Sequence, residues 1–140
     1  MKIGYAPGAF DMFHVGHLNL LRQAKFHCDF LIAGVISDEA FREMRGKTPI
    51  IPFEERLAIV RSVQHVDFAV CDQSLDKIQV WQTLHFDVLV KGDDWKTKPE
   101  AAQLIAGFAD RGIEIVYVPY SQQNSSTRLR QIIDEIESRR

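Results

Sequence analysis

Two histidines three residues apart, His14 and His17, stand in GAFDMFHVGHLNLLRQA (residues 8–24), where an apolar strand gives way to a helical period. If the helix starts near Phe13 or His14, both imidazoles fall on one face, one turn apart, and can aim ring N–H groups at a single point. Gly16 between them removes a side chain where a ligand would approach the backbone. Free N–H groups of the first turn and the positive end of the helix dipole converge on the same place, which suits an anion such as phosphate. Zinc would need a third and a fourth ligand. Cys28, Cys71, Asp93 and Asp94 are the residues on offer, and none has metal-site spacing. Core packing is the other alternative, yet neither histidine falls on the Leu18/Leu21 stripe. The expectation is phosphate recognition, with no metal ligand assigned.

The other residues with chemistry to offer lie in three places. DVLVKGDDW carries Lys91, Asp94 and Trp95 at the end of a strand-like run. REMRGKTPIIPFEER (42–56) has the look of a mobile cationic loop followed by a helix, with Arg45, Lys47 and Arg56 as its basic candidates. SSTRLR (125–130) sets hydroxyls and two arginines at the start of a last helix, where Thr127 could equally be a simple N-cap. Asp11 could bind a divalent cation or fix the turn, and Trp95 could line a pocket or fill a core.

These groups must be positioned by regular elements, and the hydrophobic pattern supplies them. Residues 2–7, 30–36, 66–71, 87–91 and 113–119 are short β-branched and aromatic runs bounded by Gly, Asp, Pro or Ser, and they read as five strands. Helical periods lie between them. One places Leu18, Leu21 and Ala24 on a face; another opens with Pro52 and repeats Leu57, Val60 and Val63. Two more run through LDKIQVWQTLH and PEAAQLIAGFADRG, and a last one puts Leu129, Ile132, Ile133 and Ile136 on its buried side. Alternation of this kind predicts an α/β fold: one domain over residues 1–140, with a doubly wound, five-stranded parallel sheet covered by helices on both faces. Ligands of such sheets bind beyond the carboxyl ends of the strands, beside the switch point.

Composition narrows the function classes. With 17 Lys and Arg against 19 Asp and Glu, the chain has a net charge of -2, which argues against a nucleic-acid-coating protein. No apolar run approaches the ~20 residues of a membrane span, and MKIGYAPGAF is too short and polar for a signal peptide. A cytoplasmic protein with no nucleic-acid or membrane partner is the expectation. Cys28 and Cys71 form no CxxC pair and read as small buried hydrophobes.

GAFDMFHVGH resembles the extended HxGH signature, G-x-F-D-x-x-H-x-G-H, of the cytidylyltransferases within the nucleotidyltransferase superfamily. KGDDW is similar to a segment of the glycerol-3-phosphate cytidylyltransferases, with matching spacing over nearly the whole chain, and SSTRLR resembles the superfamily's late SSTxxR motif. The resemblance implies a Rossmann-like fold. It also implies attack by a phosphate oxygen of an alcohol phosphate such as glycerol 3-phosphate on the α-phosphorus of CTP. A CDP-alcohol and pyrophosphate result, with no covalent enzyme intermediate, with Mg²⁺ as cofactor and with a homodimer as the assembly. His14 and His17 would stabilise the transferring phosphoryl group and the leaving pyrophosphate, joined by Lys47. Gly8, Ala9, Phe10, Asp11, Gly16, Lys91, Asp94, Trp95 and Ser125 would line the nucleotide. Ser126 and Thr127 would hold its β and γ phosphates, and Arg128 or Arg130 would neutralise them. Arg45, Arg56 and Tyr120 would contact the substrate.

Some positions depart from that pattern. Tyr120 stands where the glycerol-3-phosphate enzymes carry the arginine of RTEGIST, Gln123 replaces its glycine, Gln64 replaces a second arginine, and Ala9 replaces a threonine. Loss of a charge-assisted phosphate contact costs about 1.5–3 kcal/mol, so Arg128, Arg130 and Lys91 compensate or the substrate differs. Two alternatives remain, the first kept open by the SSTRLR ending and the second by the departures at Tyr120 and Gln64. One is an adenylyltransferase of the same superfamily using ATP and a sugar phosphate such as heptose 1-phosphate; the other is a nucleotide-binding module without turnover.

Overall fold

The computed structural model describes residues 1–120 and 126–139, the side chains of residues 100 and 126–128 apart. Ser125 and the side chains of Ser126, Thr127 and Arg128 therefore lie outside the described residues. The strands are β1 (Ile3–Gly8), β2 (Phe30–Ile36), β3 (Phe68–Asp72), β4 (Val88–Gly92) and β5 (Glu114–Val118). The helices are α1 (Val15–Lys25), α2 (Asp38–Arg45), α3 (Phe53–Arg61), α4 (Lys77–Leu84), α5 (Pro99–Ala109) and α6 (Ser126–Ser138), with a 3-10 turn at Asp93–Thr97.

All five strands run parallel in the order β3-β2-β1-β4-β5. The chain winds outward from β1 through β2 to β3, then returns to lay β4 on the other side of β1. That reversal places the switch point between β1 and β4, the place where an α/β sheet opens a crevice. Alternation along the strands divides the interior into two cores. Ala6, Ala33, Val35, Val88 and Val90 face α1 and α3 through Leu21, Ala24 and Val60. Tyr5, Ile32 and Leu89 face α5 through Leu104 and Phe108, with Ile78 and Trp81 of α4 packed alongside.

One strand position is dictated by its neighbour. A Cβ at Gly34 would lie 1.9 Å from the Tyr5 phenol oxygen, because the ring crosses β2 to donate a 2.7 Å hydrogen bond to Asp72.

Four expectations change. Residues 42–45 of the expected loop are helical, since α2 has Ser37 as N-cap, Asp38 and Glu39 in its first turn, and a left-handed Gly46 at its end. On α1 the buried positions are Gly16, His17, Leu20, Leu21 and Ala24, so Leu18 turns outward and His17 joins the inner face. Cys71 is exposed on edge strand β3, while Cys28 is half-buried against Gly4. On α6, Ile132, Ile133 and Ile136 are exposed and Leu129 is half-buried. An amphipathic period demands an apolar partner without requiring that its own domain supply one. Among the described residues, no helix is long and apolar enough to cross a membrane.

Candidate active site

Between Gly8 at the end of β1 and His14, the chain takes an unusual path. Phe10 and Met12 both adopt left-handed backbone, with φ of 54° and 49°, which costs on the order of 1–2 kcal/mol for each side-chain-bearing residue. Three contacts hold it there. The Phe10 ring is buried in the core and lies against Gly8, where a Cβ would come within 3.1 Å of it. The Asp11 carboxylate accepts the N–H groups of Ile50 and Ile51, each at 2.9 Å. Arg56 donates to the Ala9 carbonyl at 2.7 Å.

This loop delivers His14 as the N-cap of α1, and the two histidines cap each other. His14 Nδ1 accepts the N–H of Gly16 at 3.0 Å, and His17 Nδ1 accepts the N–H of His14 at 3.2 Å. A nitrogen that accepts cannot carry the proton, so each neutral ring bears its hydrogen on Nε2. Burial pushes the His14 pKa down, and burial reinforced by the neighbouring His14 pushes His17 down to about 3. Both rings are therefore neutral donors at pH 7, with centroids 4.0 Å apart. His14 Nε2 is buried without a hydrogen-bond partner among the described residues, a donor that an incoming oxygen would complete. Because the Gly16 and His14 N–H groups are taken by the two imidazoles, ring donors stand in for these two of the backbone donors expected at this helix end.

Around the pair, Phe10 and Phe13 pack on His17 with centroids 5.7 and 5.3 Å away, and Tyr120 stands 6.5 Å from His14 and 6.3 Å from His17. A cleft of about 330 Å³ opens beside them, lined by Gly16, Asn19, Gln23, Asp93, Pro119 and Tyr120. Asn19 and Gln23 were not among the sequence candidates. Their signal was available, since residues 16, 19 and 23 are spaced to share one face of a helix. Burial and then Asp94 raise the Tyr120 phenol pKa, with Arg45 opposing, so a neutral O–H donor stands where resemblance would put an arginine.

The remaining candidates separate by environment. Lys91 is half-buried, with Nζ 5.0 Å over the Trp95 ring; burial, Lys77 and Lys98 push its pKa down to about 8. Asp94 sits on the 3-10 turn, and a Cβ at Gly92 would meet its carboxylate at 2.6 Å and Tyr120 at 3.1 Å. Arg45 and Lys47 are exposed around the end of α2, and Arg130 is exposed on α6. Arg56 is the correction. Its guanidinium is fully buried and donates to the carbonyls of Ile51, Ala9 and Ile36 and to Asp38, so it frames the site and offers no surface to a substrate. Among the described residues, no group of three or more His, Cys, Asp or Glu side chains is placed to hold a metal ion.

Comparison with known families bears on this arrangement directly. The Cytidylyltransferase-like family model matches residues 5–132, which includes both histidines, β4 and most of α6. The chain belongs to the cytidylyltransferase-like family. That family places it in the HxGH nucleotidyltransferase superfamily. Among its relatives, the bifunctional protein HldE of Hyphomonas neptunium is 32% identical over 131 residues, 92% of this chain and 26% of that protein. The ethanolamine-phosphate cytidylyltransferase of Dictyostelium discoideum is 42% identical over 96 residues, 66% of this chain and 26% of that protein. This cytidylyltransferase-like chain thus spans about a quarter of such relatives. A solved lipopolysaccharide core biosynthesis protein from Thermoplasma volcanium superposes with a TM-score of 0.73 at 30% identity, covering 86% of this chain and 97% of its own. Pantothenate synthetase from Thermus thermophilus shares the fold, with a TM-score of 0.65 at 14% identity over 91% of this chain and 60% of its own.

Proposed function

We propose that the protein transfers CMP from CTP to the phosphate of a small alcohol or sugar, releasing pyrophosphate. The observation that carries this reading is the mutually capped His14–His17 pair, two neutral Nε2–H donors at the start of α1, beside the sheet's switch point. An oxygen of the acceptor phosphate attacks the α-phosphorus, the bond from that phosphorus to the bridging oxygen breaks, and pyrophosphate leaves with the electron pair. The attacking oxygen is already ionised at neutral pH, so no general base is required. What the reaction needs is alignment and donors for the charge that builds on phosphoryl oxygens. Rings whose pKa lies well below neutrality suit that role, since they hold a hydrogen bond without gaining or losing a proton.

KGDDW at the end of β4 supports CTP as donor, with Lys91, Asp94 and Trp95 beside the crevice. The SSTRLR ending keeps ATP as the second reading. Mg²⁺ is proposed to arrive with the triphosphate, as its counter-ion. A homodimer is proposed from family resemblance, to be checked by sedimentation. The deciding experiment is pyrophosphate release from CTP, ATP, GTP or UTP with acceptor phosphates and Mg²⁺, with and without EDTA. Release confined to CTP supports the reading, and release confined to ATP replaces it with adenylyl transfer. Nucleotide binding with no release from any pair makes the protein a binding module.

A further inference from the structure

Asp11 sits in the turn between β1 and α1, between Phe10 and Met12 with their left-handed backbone. Its half-buried carboxylate reaches the segment between α2 and α3, where the two oxygens accept the consecutive N–H groups of Ile50 and Ile51 at 2.9 Å each. Arg56 joins the same two segments through their carbonyls, donating to Ala9 at 2.7 Å and to Ile51 at 2.8 Å. The histidine-bearing turn and the segment before α3 are thus bound once through amide donors and once through carbonyl acceptors.

What this clasp holds is the far end of a cationic span. α2 closes at Gly46, whose N–H donates to the Arg42 carbonyl at 2.8 Å and whose φ is 69°. Beyond it Lys47 and Thr48 are exposed, and Pro49, immediately before the clasped Ile50, is buried. Three residues of chain span at most about 10 Å, so fixing the Ile50 amide limits how far Lys47 can stray from the turn that carries Asp11. The span borders the histidine pair. Burial and Asp94 raise the Tyr120 pKa and Arg45 opposes them, so the Arg45 charge reaches the ring that stands 6.5 Å from His14. Burial and His14 lower the His17 pKa and Asp11 opposes them, so the other end of the clasp is felt by the second histidine.

We propose that Asp11 is a positioning residue for the transfer step, acting through its clasp on Ile50 and Ile51 to set Lys47 against phosphates held at the histidine pair. Its effect on rate rests on the nucleotidyl-transfer reading, whereas the clasp stands on the two hydrogen bonds. In this role Asp11 is not a Mg²⁺ ligand.

The test compares the whole chain with Asp11→Ala, Lys47→Met and the double variant. Asp11→Asn, which keeps one acceptor oxygen, takes the place of the alanine protein if that one does not fold. Tryptic cleavage after Arg45, read by mass spectrometry, should be at least ~10-fold faster without the Asp11 carboxylate, because the span then opens locally. Pyrophosphate release from CTP or ATP with an acceptor phosphate and Mg²⁺ should fall ~10- to 100-fold in kcat/KM, the scale of a displaced contact. In the Lys47→Met background the same loss should shrink below ~3-fold, since residues acting as one unit are not additive. The Mg²⁺ concentration for half-maximal rate should not change. An equal loss in the Lys47→Met background overturns the inference by assigning the effect to the histidine turn, and a raised Mg²⁺ requirement overturns it by making Asp11 a metal ligand. An unchanged cleavage rate, or a lowered urea midpoint with kcat/KM intact, overturns it as well. If no nucleotide and acceptor pair releases pyrophosphate, the transfer reading fails, and the same comparison made on CTP and ATP dissociation constants by calorimetry decides the inference: a loss confined to the Lys47 background supports it, and any other result overturns it.

Discussion

His17 Nδ1 accepts the backbone N–H of His14 at 3.2 Å, so the second histidine of the pair caps the backbone of the first and fixes its own tautomer in one contact. The reciprocal bond from Gly16 N–H to His14 Nδ1 locks the other ring. Both Nε2–H groups are thereby committed to act as donors.

Replacing either histidine by alanine should lower kcat by at least ~100-fold, the usual scale for losing a preorganised donor to a charge-developing oxygen. His14→Ala also loses an N-cap, with an expected destabilisation of about 1 kcal/mol. Steady-state kinetics beside circular dichroism and urea melts checks both, and a folded variant with normal turnover would refute the role.

The depressed His17 pKa makes stability depend on pH. In the folded protein the ring stays neutral down to about 3, whereas in the unfolded chain it protonates below its ordinary value of 6.5. Protons therefore favour the unfolded state between those two values, and stability that is full above 6.5 falls as the pH drops toward 3. Thermal melts from pH 7.5 to 4 should show a declining Tm, with a shallower slope in His17→Asn.

Lys91, with its pKa pushed down to about 8, loses its charge in a range where an ordinary lysine keeps it. A nucleotide phosphate held by that ammonium should bind more weakly as the pH rises above 8, because the cation is neutralised there. Lys91→Met should raise the nucleotide KM by roughly 10- to 100-fold, the loss of one charge-assisted contact, and flatten the KM profile between pH 7 and 9.5. A profile unchanged by the substitution would remove Lys91 from the nucleotide site.

Arg56→Met should act on folding. The substitution strips hydrogen bonds from Ala9, Ile36 and Ile51 and leaves Asp38 without its buried partner. Leaving a buried acceptor without its donor typically costs about 1–3 kcal/mol. Arg56→Lys should recover only part of it, because an ammonium cannot span the directions the guanidinium serves. A urea midpoint unchanged in Arg56→Met would contradict the framing role.

Gly34→Ala should be severely destabilising, since its Cβ would collide with the Tyr5 phenol oxygen at 1.9 Å and the adjoining ring carbon at 2.5 Å. Tyr5→Phe should cost about 1–3 kcal/mol by leaving Asp72 with fewer donors. Chemical denaturation of the two variants orders them, and a Gly34→Ala protein as stable as Tyr5→Phe would refute the clash.

The sequence by itself determined the alternating fold, the place of the histidine pair at the start of α1, and the family. Local pattern suffices for these: continuous apolar runs, a 3.6-residue period and a ten-residue signature are all encoded within short stretches. Position along the chain did not reveal what depends on meeting a distant element. Arg56 reads as a surface cation until Ala9, Ile36 and Asp38 are seen closing around it. Lys91 and Trp95 read as separate pocket residues until the fold stacks one over the other. The apolar face of α6 is equally plain in the sequence, yet only the tertiary arrangement left it uncovered among the described residues. Hydrophobic periodicity is a property of neighbouring residues, whereas burial and the direction of a long cationic side chain are settled by whatever packs against it.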